Sequence, residues 1–234
     1  MFASLQPNEI EALLLTLKVS VVALVCALPL AISVAYVLSR FRFPGHGMLN
    51  AAIHLPLMLP PVVTGYLLLL LLGPSGPLGR FLLENFQFTP AFNWKGAALA
   101  AGIMAFPLIV RPIRLAFDAV DPKLEQASAS LGCHGVFTFL IVSLPLALPG
   151  VLGGAILGFA KAMGEFGATI TFVSNIPGET RTLSLALYTA VQSPDGDALG
   201  LRLMIISICL AIFALLLSEL LVRRLRARLE GADV

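Results

Sequence analysis

Charge is scarce in this chain. Only 12% of its 234 residues are Asp, Glu, Lys or Arg, about half the share of an ordinary soluble domain. With 58% hydrophobic residues and a mean hydropathy of +0.94, that scarcity excludes a soluble globular fold and implies an integral membrane protein. Cysteine is nearly lacking too: Cys26, Cys133 and Cys209 stand apart without CxxC or paired spacing, which excludes a disulfide framework and signals no metal site. His134 beside Cys133 does not alter this, because one pair cannot complete a tetrahedron. The net charge of +2 is too small, and its basic residues too dispersed, to imply a nucleic-acid partner. No GxxxxGK[ST] stretch occurs, and none of Lys18, Lys95, Lys123 and Lys161 follows a glycine. The chain therefore has no P-loop of its own.

What it has in abundance is long apolar sequence. Runs at about 13–38, 51–72, 97–117, 136–160 and 203–222 each reach the roughly 18 residues that cross a bilayer. The expectation is an all-α integral membrane protein with about five transmembrane helices. The first run is read as a mature span, since Met1 to Glu11 holds no basic residue and "RFRFPGHG" follows where small residues would mark a cleavage site. With the N-terminus outside, the inner segments hold Arg40, Arg42, Arg111, Arg114, Lys123, Arg223, Arg224, Arg226 and Arg228. The outer segments hold only Arg80, Lys95, Arg181 and Arg202. That asymmetry predicts N-out and C-in.

Segment 118–135 then faces the cytoplasm. In "DAVDPKLEQASASLG", Asp121 is a plausible N-cap, Pro122 stands at the first helical position, Glu125 in the first turn and Gly132 at the stop. These signals predict a short helix over about 121–132, between spans three and four. Any loop can carry a capped helix; the register says more. Gln126-Ala127-Ser128, Gly132 six residues after Gln126, then nine residues to Val142, and Leu144-Pro145 resemble the motif of permease subunits of bacterial ABC importers. That motif reads Glu-Ala-Ala, three residues, Gly, nine residues, Ile, one residue, Leu-Pro. Gln126, Ser128 and Val142 depart from it in identity and hold its spacing. The resemblance implies a type I ABC importer permease fold, with this coupling helix docked into a groove on a separate ATPase. A rigid turn at Gly132 would tie it to span four.

Further stretches resemble the molybdate importer branch of that family: "FPGHG" after span one, "HLPLMLPPVVTGYLLLLLLG" through span two, and "AKAMGEFGATITFVSNIPGETRTLSLALYT" at 160–189. The similarity runs along nearly the whole chain, so 1–234 is expected to be a single transmembrane permease domain. Sulfate permeases share a related GEFG-like segment, which leaves sulfate or another oxyanion as the alternative substrate, and tungstate is too close to molybdate to separate. The resemblance implies a bacterial inner-membrane homodimer with the pore between protomers. It also implies two ABC ATPase subunits that carry the ATP-Mg, a periplasmic molybdate-binding protein, and no cofactor on this chain.

A dianion needs an enclosed polar path that opens to one side at a time. Span two carries Pro56, Pro60 and Pro61 beside Thr64 and Gly65, the broken backbone expected along a cavity or, more plainly, at a packing kink. Gly150, Gly154 and Gly158 give span four one small face, for close contact within the chain or across a dimer axis. Lys161 and Glu165, four apart, are either an interfacial ion pair or an anion contact with its restraint. An outer re-entrant or gate segment is expected over about 164–198. It includes Phe166 and Thr169 in "FGATITFV", then Thr180, Arg181 and Thr182, where a delivered anion or docking protein would be met or where a loop is merely solvated. A different class, an intramembrane serine hydrolase using Ser75 of "GPSG" with His54, is disfavoured because Ser75 does not open a helix. A passive channel would have no use for a docking helix.

Overall fold

The computed structural model describes residues 6–230, with side chains described through residue 217 and at 220, and all its regular structure is helical. Arg223, Arg224, Arg226 and Arg228, which weighed in the orientation, have side chains outside the described residues. Four stretches are long and apolar enough to cross a membrane: helix α1 (Pro7–Arg40), helix α5 (Trp94–Ala119), the continuous run Gly135–Met163, and the first 21 residues of helix α11 (Asp197–Glu230). Helices α2 (His46–Met58) and α3 (Pro61–Leu72) are long and apolar enough for a fifth crossing only when taken together, and they are bent by 113° at their junction.

The break expected at the prolines of span two falls at this junction, and the backbone gives its cause. Pro60 and Pro61 supply no N–H, so hydrogen bonding stops where Leu59 N–H closes on the Leu55 carbonyl. It restarts from the Pro60 carbonyl, which accepts from Val63 (2.9 Å) and Thr64 (3.3 Å). Helix α4 (Pro77–Phe86) follows and packs on α3.

Helix α5 is the centre of the bundle: 61% of its spanning window is buried, against 28% for α1 and 11% for α11. Small residues let its neighbours close on it, which suits a bilayer where close packing, rather than water exclusion, joins helices. On α1 the buried alanines recur every fourth residue, at Ala23, Ala27, Ala31 and Ala35. They face the buried alanines Ala97, Ala98, Ala100, Ala101 and Ala105 of α5 within one core. On helix α8 (Leu144–Met163), a Cβ at Gly154 would lie 2.7 Å from the Ile109 carbonyl, and at Gly150 2.8 Å from that of Pro112. Gly158 abuts the Ile109 side chain. The small face of span four thus packs within the chain, on α5.

The polar connections divide between two ends. At one, Arg40 of α1 donates to the Val120 carbonyl (3.0 Å), beside helix α6 (Pro122–Ser130). At the other, Glu9 of α1 pairs with Arg202 of α11 (3.0 Å), and Thr16 Oγ1 accepts from the Leu183 N–H (2.8 Å) at the start of helix α10 (Leu183–Gln192). Helix α9 (Gly167–Val173) follows α8 at this second end. As their lengths predict, α9 and α10 are too short to span.

Candidate coupling and translocation sites

Helix α6 forms where its local signals place it. Asp121 is the N-cap, its carboxylate accepting from Lys123 N–H (2.9 Å), and Pro122 is the first helical residue. Gly132 closes it at φ +88°, with Cys133 N–H on the Ser128 carbonyl (3.2 Å) and Gly132 N–H on that of Ala129 (3.0 Å). This paired closure needs a left-handed residue, which glycine adopts without cost. Only one face of α6 touches the bundle. Ser128 is buried and its hydroxyl bonds Thr138 (3.1 Å), while Gln126 and Ala127 are exposed and Leu131 is 86% exposed.

The other inward residue, Glu125, has partners no local pattern announced. Its Oε1 accepts from Arg40 Nε (2.9 Å) and from Ser143 Oγ (2.6 Å). Ser143 ends a wide π turn, Phe139–Ser143, that joins the short helix α7 (Gly135–Thr138) to α8. Leu144 N–H reaches back five residues to Phe139. Pro145, next in line, has no N–H and its ring crowds the carbonyl four residues earlier, so a widened turn relieves both faults. The motif's Leu144-Pro145 therefore sets the backbone that presents Ser143 to Glu125. Around it, Tyr36 meets Phe117 and Phe139 edge-on, with ring centroids 5.3 and 4.8 Å away.

At the opposite end α3 lies across α9. Gly65 and Gly167 permit this: a Cβ at Gly65 would stand 2.5 Å from the Ala168 carbonyl, and one at Gly167 2.7 Å from Pro61 Cβ. Pro60 and Pro61 mark the break that starts α3, and Thr64, 6% exposed, has a buried hydroxyl with no protein partner among the described residues. Lys161 and Glu165 do pair (Nζ to Oε2, 2.6 Å), although α8 ends at Met163 and Glu165 sits in the following turn. The second carboxylate oxygen of Glu165 accepts from Ala168 N–H (3.0 Å), so one buried acid holds both the lysine and the start of α9. Phe166 packs on Tyr188 (5.0 Å between centroids) and Thr169 is buried.

Thr180 and Arg181 are placed apart from that crossing. Thr180 is fully buried, accepting from Ile176 N–H (2.8 Å) and donating to the Ser174 carbonyl (3.2 Å), which makes it a staple of its own loop. Thr182 is buried at the entry to α10. Arg181 donates to Asn175 Oδ1 (2.9 Å) and lines a separate cavity of about 250 Å³ with Asn8, Glu9 and Asp195. His54 Nδ1 bonds the Asn50 carbonyl within α2 (2.8 Å), and Ser75 lies in the turn beyond α3. Nothing in this arrangement activates a serine.

A polar helix seated at one end of an apolar bundle, and a bent helix pair crossing a short helix at the other, make up a multi-spanning membrane protein. The chain matches the family described as binding-protein-dependent transport system inner membrane component over residues 27–227, and it belongs to that family. It is 54% identical over 220 residues to the molybdenum transport system permease protein ModB of Escherichia coli (strain K12), covering 94% of this chain and 96% of the relative. The protein of the same description from Haemophilus influenzae is 49% identical over 226 residues, covering 97% and 99%. The sulfate transport system permease protein CysT of Salmonella typhimurium is 33% identical, covering 82% and 69%. Among solved structures, the inward-facing MetNI methionine ABC transporter aligns with a TM-score of 0.68 at 16% identity, covering 93% of this chain and 94% of that one. A bacterial transporter for the polysaccharide alginate aligns at 0.69, also at 16% identity, covering 92% and 80%. The resemblance to molybdate importer permeases and the type I fold are thereby borne out, and the chain is an inner-membrane transport subunit.

Proposed function

We propose that this chain is the permease of an ATP-driven importer that moves molybdate, and with it tungstate, into the cytoplasm by alternating access. The observation that carries the mechanism is α6, whose Gln126, Ala127 and Leu131 face outward while Glu125 and Ser128 anchor it from behind. An exposed helix with a directional anchor suits a groove on an ATPase that carries the ATP-Mg. The substrate comes from the relatives, which are named as molybdenum permeases across almost the whole chain. In this reading two copies enclose the pore, two ATPase subunits bind at the α6 end on the cytoplasmic side, and a periplasmic binding protein docks at the α9 end. The N-terminus is outside.

The coupling helix spans about 121–132, with Asp121, Pro122, Glu125, Gln126, Ala127, Ser128, Gly132, Leu144 and Pro145 as its working residues. The path is formed by Pro60, Pro61, Thr64, Lys161, Glu165, Phe166 and Thr169, and segment 164–198 closes its outer end, with Thr180 bracing the loop and Arg181 near the docking face. The unpartnered Thr64 hydroxyl is suited to donate to a passing oxyanion. Glu165 keeps Lys161 from holding the dianion too firmly, since a conduit must release what it attracts. Loaded binding protein and ATP shift the permease outward-open only by preferring that state.

The test is ATP-dependent uptake of labelled molybdate into vesicles holding the permease, its ATPase and its binding protein, with sulfate in excess. Uptake is expected to survive. The relative named as a sulfate permease supports a second reading, and uptake abolished by sulfate would establish it.

A further inference from the structure

We infer that Glu125 is the positioning residue through which a displacement of α6 reaches α1 and α8 together. The inference rests on α6 being the ATPase-docking helix and adds how its movement enters the membrane. One carboxylate oxygen, Oε1, accepts from two elements at once: Arg40 Nε at the end of α1 and Ser143 Oγ at the end of the π turn. Arg40 also donates through Nη2 to the Val120 carbonyl at the end of α5. A single residue of α6 is thus bonded to the last residue of one span and to the entry of another, and through Arg40 to a third.

The character of the seat matters. Ser128 is the only buried residue of α6, and its contact is also a hydrogen bond. Charge-assisted bonds are short and directional, so they fix the seat of α6 at named atoms. The Glu125 and Arg40 side chains are 17% and 13% exposed, so water competes little for the pair. The receiving element is suited to yield. A π turn is a sparingly stable form of helix, frequent at functional sites, and this one lies immediately before α8. Gln126, the residue at the motif's Glu position, points away from the bundle and is left free for the partner. The division of labour is that Gln126 meets the ATPase and Glu125 meets the spans.

The experiment uses the complete importer in liposomes and measures three quantities: ATPase retained on the permease, ATP hydrolysed, and labelled molybdate taken up. Glu125→Ala is expected to retain the ATPase and hydrolyse ATP while uptake per ATP falls about tenfold, because the outer face of α6 is untouched. Ser143→Ala, the gentler change, should lower that ratio severalfold. Glu125→Gln, which keeps an Oε1 acceptor for Ser143 but gives up the charge that holds Arg40, should fall between Ser143→Ala and Glu125→Ala. The double variant should be no worse than Glu125→Ala alone, since both changes remove the same bond. Unchanged uptake per ATP in Glu125→Ala and Ser143→Ala, or additive losses in the double variant, overturns the inference. If wild-type permease retains no ATPase, the docking role of α6 itself falls. If Glu125→Ala does not fold, the Ser143→Ala and Glu125→Gln ratios decide.

Discussion

Replacing Gly65 with alanine should impair transport although it adds a single methyl group. Its Cβ would stand 2.5 Å from the Ala168 carbonyl oxygen and 2.9 Å from both Ala168 Cα and Thr171 Cβ, where ordinary contact begins at 3.4 Å. Two of these atoms are backbone, so the shortest contact needs about 0.9 Å of separation between α3 and α9. Helix α9 cannot readily supply it, because Glu165 holds the Ala168 N–H and its own carboxylate is tied to Lys161. Overpacking of this kind costs about 1–3 kcal/mol, and alanine regains about 0.5–1 kcal/mol over glycine within a helix. Because the 2.5 Å contact is with backbone, the clash falls in the upper half of that range, about 2–3 kcal/mol; the net, about 1–2.5 kcal/mol, corresponds to roughly a 5- to 70-fold shift in a two-state equilibrium. The assay is molybdate uptake together with thermal melting in detergent, with Gly153→Ala as control, since a Cβ there meets nothing within 4 Å. Gly65→Ala should lose at least fivefold in uptake or melt earlier, while ATP hydrolysis persists and the control stays unaffected. Melting and uptake equal to wild type would refute the close crossing.

Three further outcomes follow from the same geometry. Gly132→Val places a β-branched residue at φ +88° with no atom within 4 Å of the added Cβ, so its effect is backbone strain rather than clash. ATP hydrolysis should continue while uptake falls, Gly132→Asn should be tolerated better, and unchanged coupling in the valine variant would count against the rigid turn. Gly154→Ala meets the Ile109 carbonyl and should lower the melting temperature, whereas its neighbour Gly153→Ala should leave it equal or higher; equal melting of the two would contradict the α5–α8 contact. Lys161→Met strands the buried Glu165 carboxylate. Loss of a partner from a buried pair costs about 3–5 kcal/mol, and the partial exposure of Lys161 places this case toward the lower end. The double variant Lys161→Met/Glu165→Gln should recover much of the loss on melting, and no recovery would mean the pair is not coupled.

What was legible in the sequence was local or compositional. Charge depletion and run length predict the spans because a bilayer admits few other structures, and Asp121, Pro122 and Gly132 predict α6 because capping is decided within a few residues. The three prolines of span two predicted a break but not its 113° bend, which also reflects where α3 comes to rest, on α9. The glycine face of α8 was visible, while its partner, the Ile109–Pro112–Ala116 face of α5, was not. Glu125 was read as a first-turn acid. Its cation lies 85 residues away, at the end of another span, and no periodicity names such a partner. The π turn had one signal, Pro145, and a proline early in a helix usually means only that the helix begins there.

Helix α8 joins the two candidate sites. It begins at the turn that Glu125 grips through Ser143 and ends at the Lys161–Glu165 pair that holds α9. Its 20 residues make a rod of about 30 Å, close to the thickness of the hydrocarbon core. Glycines along one side seat it directly on the backbone of α5, so the two helices are suited to move as one body. A pull at the α6 end would then arrive at the α3–α9 crossing, where Gly65 meets the Ala168 backbone, Gly167 meets Pro61, and Glu165 ties α9 to Lys161. Small residues would then make the lever and polar ones its two attachments. In a chain with so few charges, that is a physical reason for Arg40, Glu125, Lys161 and Glu165 to stand where they do.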